Sequence, residues 1–333
     1  MTANRALIIG IAGQDGSYLA ELLLEEGYEV FGVVRSPTSA GFENLAGVQT
    51  QLEVVQADIL DELSLVDVLS SCRPREVYNL AAPSFVPMSW RQPVLTAEFA
   101  AVGVTSLLEA IRRADDSIRF FQASSSEIFG EPRDMPQSEE TPLAPVTPYG
   151  VAKAYGHFIT RSYRRHYGLH ASSGILYNHE SPRRPRDFVT RKVAHAAAAI
   201  SLGLESEVRL GSLEARRDWG YAGDYVRAMW LALQQEEPDD YVLATGESHS
   251  VRELAEIAFA RVGLDHEEYV HVDESLVRGK AELYDLLGDA TRARERLGWS
   301  PTIDFEGLVH LLVDADLERL RAQLEKTESL ADG

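Results

Sequence analysis

Short apolar runs alternate with longer amphipathic stretches through the first half of the chain. The runs RALIIGI, YEVFGVV, EVYNLAA and IRFFQAS are largely apolar, without regular polar alternation, as strands buried on both faces of a sheet require. The stretches between them, such as GSYLAELLLEEG and TSLLEAIRRA, repeat their apolar residues at helical spacing. This alternation predicts an α/β fold, a Rossmann-type doubly wound parallel sheet with helices on both faces.

The pattern changes after Ser181, where the segment SPRRPRDF is rich in proline and arginine. We expect residues 1–180 to form the Rossmann domain, with the chain returning to it near 212–245 through stretches such as DYVLATG. Residues 181–330 are expected to form mainly a smaller, mostly α-helical lobe that binds the substrate.

The 333-residue chain carries a net charge of −20, from 52 acidic and 32 basic residues. Such a surface repels nucleic acid and anionic membranes, so we expect neither as a partner. The single cysteine, Cys72, excludes an intrachain disulfide and a cysteine-based metal site, and no His, Asp or Glu spacing indicates a metal. No signal peptide precedes the first strand and no apolar run reaches transmembrane length, which predicts a soluble, cytoplasmic protein.

Three glycines follow the first predicted strand, in the sequence IIGIAGQDGSYLAELL. Gly10, Gly13 and Gly16 have the spacing G-x-x-G-x-x-G where the strand meets the first helix. Glycine lets the backbone turn tightly and approach a pyrophosphate, and a helix N-terminus offers N–H groups and the positive end of its dipole. The flanking strand and helix favour a dinucleotide site over a plain tight turn.

The residues after the second and third strands bear on which dinucleotide is bound. Arg35 and Ser36 stand where an NAD-binding domain usually has an acidic residue, and they suit an adenosine 2′-phosphate. NADP is therefore favoured over NAD, the alternative being that Arg35 is a solvated loop residue. Asp58 can accept a hydrogen bond from the adenine amino group. The residues that end the fourth strand are small enough to leave the cofactor room: Leu80, Ala81 and Ala82.

Tyr149 and Lys153 lie four residues apart in PYGVAKAYGHF, which places both on one face of a helix. A tyrosine with an ordinary pKa of ~10 must lose its proton near pH 7 to act as a base, a change of about 4 kcal/mol. A neighbouring ammonium and a positively charged nicotinamide can supply it. Such a pair is common on helices, but here a glycine loop precedes it, and the fifth strand ends in three serines followed by Glu127.

A series of motifs runs along the chain in this order: GIAGQDGSYLAELLLEEGY, EVYNLAAPSFV, QASSSEIFG, TPYGVAK, GILYNHESPRR, FVTRKV, RRDWGYAGDYV and LLGDATRARERLGW. Together they resemble the GDP-mannose 4,6-dehydratase family of extended short-chain dehydrogenases/reductases. The resemblance implies that Ser125, Tyr149 and Lys153 carry a hydride step at sugar carbon 4, with Tyr149 and Lys153 also at the cofactor. It implies that Glu127 removes the carbon-5 proton and protonates the hydroxyl leaving carbon 6. It also implies an NADP that stays tightly bound and is recycled in each turnover.

The resemblance further implies a nucleotide-diphosphate sugar as substrate. The residues that match substrate-binding positions of the family are Ser84, Asn178, Val189, Lys192, Leu210, Gly211, Arg217, Arg278 and Glu282. Asn178 and Arg217 are expected at the diphosphate, and Val189 and Lys192 at the guanine.

Three segments depart from the family pattern. The run LVRGKAELYDLLGD lacks the proline of the family's Arg-Pro-Ala-Glu motif and has one residue inserted, which shifts the loop that carries Arg278 and Glu282. After the second strand, Arg35 stands where the family has several arginines that reach a neighbouring subunit. A homodimer through helices beside the sheet is therefore expected, with a tetramer possible. Pro83 and Pro87 line the sugar end, which leaves a sugar other than mannose open.

The leading prediction is a hydro-lyase that converts GDP-mannose to GDP-4-keto-6-deoxymannose. One alternative is a 4,6-dehydratase of another nucleotide-hexose or nucleotide-heptose. Another is a 4-epimerase or 4-keto reductase, which would need no base at carbon 5. A non-catalytic NADP sensor is disfavoured because Ser125, Glu127, Tyr149 and Lys153 are all present.

Overall fold

The computed structural model describes residues 4–35, 42–277 and 285–331 of the chain. In chain order, its strands are β1 (Arg5–Ile9), β2 (Glu29–Val34), β3 (Glu53–Gln56), β4 (Glu76–Asn79), β5 (Arg119–Ala123), β6 (Ala171–Leu176), β7 (Asn178–Glu180), β8 (Val208–Leu210), β9 (Arg216–Arg217), β10 (Trp219–Tyr221), β11 (Asp240–Leu243), β12 (His249–Ser250) and β13 (Val270–Val272). Its α-helices are α1 (Gln14–Glu25), α2 (Glu62–Cys72), α3 (Val86–Arg91), α4 (Pro93–Ala97), α5 (Gly103–Ala114), α6 (Pro148–Tyr167), α7 (Val189–Ser201), α8 (Ala222–Gln234), α9 (Val251–Arg261), α10 (His266–Tyr269), α11 (Thr291–Leu297) and α12 (Phe305–Ala331). A π-helical turn, Glu98–Val102, joins α4 to α5.

Seven of the strands form one sheet, in the order β3-β2-β1-β4-β5-β6-β11. Each pairing between neighbours in this sheet is parallel. The order changes direction between β1 and β4, and open sheets of this kind bind ligands at such a point, beside the carboxyl ends of the strands. The predicted Rossmann-type fold is confirmed.

Helices cover both faces of the sheet. On one face, α1 and α8 pack against strand residues such as Ile8 and Phe121. On the other face, α2 and α5 pack against Leu7 and Phe120, the residues that directly precede Ile8 and Phe121 in the chain. Because successive strand residues point to opposite faces, a strand covered on both sides must be apolar at every position. This explains the continuous apolar runs of the sequence.

A second core lies outside the sheet. There α7, α9 and α12 pack around Trp219 and Phe305. Between residues 212 and 245 the chain returns to the sheet, since α8 packs on one face and β11 pairs with β6 at the edge. The helix α11 also packs against the sheet core. The division at 1–180 and 181–330 stays a prediction.

One helical stretch, Pro93–Ala114, is long and apolar enough to cross a membrane, judged by length and composition. The prediction that no apolar run reaches this length is therefore wrong. In the fold, Leu107, Leu108 and Ile111 of this stretch belong to the core beneath the sheet, and 44% of its most apolar window is buried. A core helix of a globular protein passes the same test, so the stretch is weak support for a membrane span.

Candidate active site

The glycine loop lies at the carboxyl end of β1, against the end of β4. Gly10 has a φ of +90°, and a Cβ there would lie 3.0 Å from the Ala81 backbone nitrogen. A Cβ on Gly16 would lie 2.3 Å from the Gly10 carbonyl oxygen. Gly13 is the N-cap of α1 and places no side chain over the first N–H groups of the helix. The loop thus presents backbone and the positive end of α1, which fits the pyrophosphate of a dinucleotide.

Of the three residues predicted around the adenosine, the structure describes Arg35 and Asp58. Arg35 is exposed directly after β2, and its guanidinium lies 5.2 Å from the centre of the Phe99 ring. Asp58 is half-buried, and one of its carboxylate oxygens already accepts a hydrogen bond from the Leu60 N–H at 3.0 Å. Ser36 lies outside the described residues. The structure thus leaves Arg35 exposed at this edge, and the roles of Arg35, Ser36 and Asp58 at the adenosine stay predictions.

A short turn after β5 carries Ser125 and Glu127. Ser125 caps a 3₁₀ turn, and its hydroxyl accepts a hydrogen bond from the Glu127 N–H at 3.2 Å. The absence of a side chain on Gly150 lets α6 approach this turn, because a Cβ there would lie 2.5 Å from the Glu127 carbonyl oxygen. The half-buried Glu127 is consequently held beside the first turn of α6.

Tyr149 and Lys153 lie near the start of α6 and are buried, with 6% and 5% of their surfaces exposed. Lys153 Nζ lies 5.7 Å from the centre of the Tyr149 ring and donates a hydrogen bond to the Ala123 carbonyl oxygen at 2.8 Å. Tyr149 also shares a hydrogen bond with Ser125. The fold thus brings the predicted tyrosine, lysine and serine together, with Glu127 close by.

Burial dominates the proton affinities of this group. It raises the pKa of Tyr149 to about 12, although the hydrogen bond with Ser125 and the positive charge of Arg184 act in the opposite direction. Burial also lowers the pKa of the Lys153 ammonium to about 8. Tyr149 therefore needs further positive charge close to its oxygen before it can act as a base near neutral pH.

Asp15 and His179 form a pair at this site that the sequence analysis missed. His179 Nε2 lies 2.9 Å from the Asp15 carboxylate, and Nδ1 lies 2.7 Å from the Tyr177 carbonyl oxygen. Both partners are acceptors, so both ring nitrogens must donate, and the imidazole is positively charged. Although burial opposes both changes, the pairing lowers the pKa of Asp15 to about 2 and raises the pKa of His179. The sequence signal for this pair was Asp15 itself, because a carboxylate inside a predicted phosphate loop needs a cationic partner.

Arg184 is a second residue that the sequence analysis did not single out. Its guanidinium stacks 3.7 Å from the centre of the Phe188 ring and lies 3.3 Å from the Glu180 carboxylate. Its charge lowers the pKa of both Tyr149 and Asp15. Arg184 therefore supplies positive charge to the group around Tyr149.

The residues predicted to bind the substrate are spread over the second lobe. Lys192, on α7, donates a hydrogen bond to the Arg209 carbonyl oxygen at 2.6 Å, which ties α7 to β8. Leu210 ends β8 and is buried, and Gly211 follows it beneath the Leu276 carbonyl oxygen. The structure thus brings Lys192 close to Leu210 and Gly211.

The remaining predicted substrate residues occupy other elements. Asn178 is in β7, paired with Trp219 of β10, and Arg217 lies in β9 opposite His249 of β12. Val189 begins α7, and Ser84 is exposed before α3. Arg278 and Glu282 lie outside the described residues. Their roles in substrate binding stay predictions.

Known proteins resemble this chain over nearly its whole length. A family model described as GDP-mannose 4,6 dehydratase matches residues 7–312. The chain belongs to this family. GDP-mannose 4,6 dehydratase 1 of Arabidopsis thaliana is 47% identical over 325 residues, which cover 94% of this chain and 90% of that protein. GDP-mannose 4,6 dehydratase of Homo sapiens is 43% identical over 344 residues, which cover 96% of this chain and 92% of that protein.

Solved structures share the fold of this GDP-mannose 4,6-dehydratase family member. UDP-glucose 4-epimerase from Thermotoga maritima, solved with UDP-glucose, has a TM-score of 0.84 and 28% identity, covering 95% of this chain and 99% of its own. UDP-glucose 4-epimerase from Thermus thermophilus, solved with NAD, has a TM-score of 0.81 and 28% identity, covering 94% and 98%. One of these two neighbours was thus solved with a nucleotide sugar and the other with a nicotinamide dinucleotide.

Proposed function

We propose that this family member is a hydro-lyase that converts GDP-mannose to GDP-4-keto-6-deoxymannose with release of water. Glu127 carries the proposal. It lies two residues after Ser125, and its charge is close enough to Tyr149 to raise the pKa of that tyrosine. The site therefore holds a second potential base beside Tyr149, which a 4-epimerase or 4-keto reductase does not need.

Tyr149, Ser125 and Lys153 act at sugar carbon 4 in this proposal. The Tyr149 phenolate takes the proton of the 4-hydroxyl, and Ser125 donates a hydrogen bond to the same sugar oxygen. Lys153 supplies positive charge beside Tyr149. The glycine loop would hold the pyrophosphate of a nicotinamide cofactor, and that cofactor, when bound, supplies the acceptor and donor of the hydride that moves from carbon 4 to carbon 6.

Glu127 acts at carbons 5 and 6. A ketone at carbon 4 makes the carbon-5 hydrogen acidic, and the Glu127 carboxylate removes it as a proton. The carboxylic acid so formed then donates that proton to the hydroxyl that leaves carbon 6 as water. One residue can do both because the two carbons are adjacent, and the Glu127 carboxylate is restored. Once the hydride has reached carbon 6, carbon 5 takes a proton from solvent in place of the one it lost, and Tyr149 releases to solvent the proton that it took from the 4-hydroxyl.

The test is incubation of the purified protein with GDP-mannose in deuterated water, without added reductant. Mass spectrometry should show loss of one water, and NMR should show one deuterium at carbon 5 and none at carbon 6. An isomeric product with no loss of water would contradict the proposal and favour a 4-epimerase. Unchanged GDP-mannose alongside dehydration of another nucleotide sugar would overturn the choice of mannose alone.

We infer that the cofactor is NADP, with NAD the less favoured dinucleotide. Arg35 supports this inference because it is exposed at the end of β2, where a 2′-phosphate would lie. The variant Arg35→Ala is expected to weaken NADP binding about 10- to 100-fold, the loss of one charge-assisted hydrogen bond, and to leave NAD binding nearly unchanged. Titration of both dinucleotides measures this, with Arg73→Ala as the control, because Arg73 is exposed just before β4, at the amino ends of the strands. Equal weakening of both dinucleotides would contradict the inference.

We also propose that two copies associate through α4, α5 and α6. Apolar side chains are exposed on these helices and on the segments joined to them: Trp90, Val94, Val102, Val151, Tyr155 and Phe158. Those on α6 recur at positions i, i+4 and i+7, so they form one stripe that a second copy would cover. The double variant Val151→Glu and Tyr155→Glu should convert a dimer into monomers in light scattering, whereas Leu63→Glu on α2 should not. A tetramer in the unchanged protein would require a second interface.

We place this activity in the cytoplasm, free of the membrane. The buried free thiol of Cys72 is compatible with a reducing compartment. Activity should appear in the supernatant after high-speed centrifugation of lysed cells. Recovery in the membrane pellet would contradict this placement and direct attention to Pro93–Ala114.

A further inference from the structure

Two buried amide side chains lie beneath the catalytic lysine and have no part in the proposed reaction. Asn79 ends β4, and Gln122 lies next to it in β5, in direct register. Both are almost fully buried, with 1% and 2% of their surfaces exposed. Burying two amides costs free energy unless their polar atoms are paired, so their contacts are informative.

The hydrogen bonds run in one direction from Asn79 to the backbone of Ala123. Asn79 Nδ2 donates to Gln122 Oε1 at 2.9 Å, and Gln122 Nε2 donates to the Ala123 carbonyl oxygen at 2.9 Å. The same carbonyl oxygen accepts the hydrogen bond from Lys153 Nζ at 2.8 Å. A carbonyl oxygen is only an acceptor, so Gln122 must turn its NH₂ group toward Ala123 and its oxygen toward Asn79.

The Ala123 carbonyl oxygen therefore has two donors for its two lone pairs. Gln122 occupies one of them, and Lys153 is directed onto the other. The side-chain oxygen of Asn79, Oδ1, is also buried, and it accepts no hydrogen bond among the described residues. Two amides that served only to satisfy each other would not need to reach the carbonyl that receives the ammonium.

We propose that Gln122, held by Asn79, is a positioning residue that fixes the Ala123 carbonyl oxygen and thereby places the Lys153 ammonium beside Tyr149. Lys153 has three N–H groups on a flexible stem, so a single fixed acceptor decides where its charge lies. A displacement of a catalytic group by about 1 Å can cost 10²-fold in rate. This inference rests on the proposed role of Lys153 in the reaction.

The variants Gln122→Met and Gln122→Glu separate positioning from packing. Gln122→Met keeps the volume but removes the donor, and it should lower kcat for GDP-mannose about 10- to 100-fold with little change in KM. Gln122→Glu places a carboxylate close to the Lys153 ammonium and should raise the pKa of that lysine. The alkaline limb of the kcat profile, where Lys153 loses its proton, should then move upward by about one pH unit. Neither variant replaces any of the other titratable residues around Lys153, which are Tyr149, His157, Asp15 and Glu127.

The control is Gln234→Met, because the half-buried Gln234 also donates a hydrogen bond through Nε2 to a buried side chain, that of Glu76 at the opposite end of β4. It should lower the melting temperature without moving kcat or its pH profile. If the Gln122 variants show a wild-type kcat and profile, or lose activity only in proportion to folded protein, the inference is wrong. Lys153→Met is measured alongside. An inactive Lys153→Met with normal Gln122 variants refutes the positioning role alone, whereas an active Lys153→Met also refutes the proposed role of Lys153.

Discussion

Replacing Glu127 with glutamine is expected to lower kcat for GDP-mannose by about 10²- to 10⁴-fold. Glutamine has nearly the shape of glutamate, but it can neither take the carbon-5 proton nor return one to the leaving hydroxyl. The turn itself should persist, because Ser125 caps it through the Glu127 backbone N–H. The loss should therefore be chemical, with a melting temperature close to that of the unchanged protein.

The measurement is the rate of deuterium uptake at carbon 5 in deuterated water, followed by NMR. Glu131→Gln is the matched control, since Glu131 lies four residues later in the chain and is exposed. Uptake at the wild-type rate in Glu127→Gln would refute Glu127 as the base. An equal loss in Glu131→Gln would show that the charge of the segment matters and not a specific carboxylate.

Replacing Tyr149 with phenylalanine should have an effect of the same size, about 10²- to 10⁴-fold in kcat. The variant keeps the buried ring and removes the oxygen that would take the proton of the sugar 4-hydroxyl. The phenolate is the active form, so activity of the unchanged protein should rise with pH as Tyr149 loses its proton. Burial raises the pKa of Tyr149 to about 12, and nearby positive charge must lower it for the rise to fall near neutral pH.

The pH profile separates a chemical role from a packing role for Tyr149. The small remaining activity of Tyr149→Phe should lack the rise with pH seen in the unchanged protein. Tyr167→Phe is the control, because Tyr167 ends the same helix and is 47% exposed. A Tyr149→Phe variant with wild-type kcat, or with the same rise, would mean that another group takes the proton.

Much of the fold and part of the site are local properties of the sequence, and these could be predicted. Gly10, Gly13 and Gly16 lie within seven residues, between a strand and a helix whose apolar patterns are visible without tertiary information. Tyr149 and Lys153 come onto one face because the rise and turn of a helix depend only on spacing. The length of the apolar stretch at Pro93–Ala114 was misjudged, because three short helical segments join into one continuous helix.

The contacts that set the chemistry of the site join residues far apart in the chain, and no local pattern predicts them. Asp15 meets His179 across 164 residues, because β1 and β6 lie in one sheet and β7 follows β6 directly. Gln122 meets Asn79 across 43 residues, because β4 and β5 are neighbours in that sheet. Sequence spacing carries no information on strand order, which packing of the whole chain decides.

By itself, the sequence determined the alternation of strands and helices, the glycine loop, the helical pairing of Tyr149 with Lys153, and the family to which the chain belongs. The tertiary structure decided how deeply those residues are buried, and hence that the pKa of Tyr149 rises and that of Lys153 falls. It also decided that Lys153 reaches the Ala123 carbonyl oxygen, which Gln122 shares. Burial and hydrogen-bond partners arise from atoms that the fold brings together, whereas helix spacing and loop glycines act through the chain's own backbone.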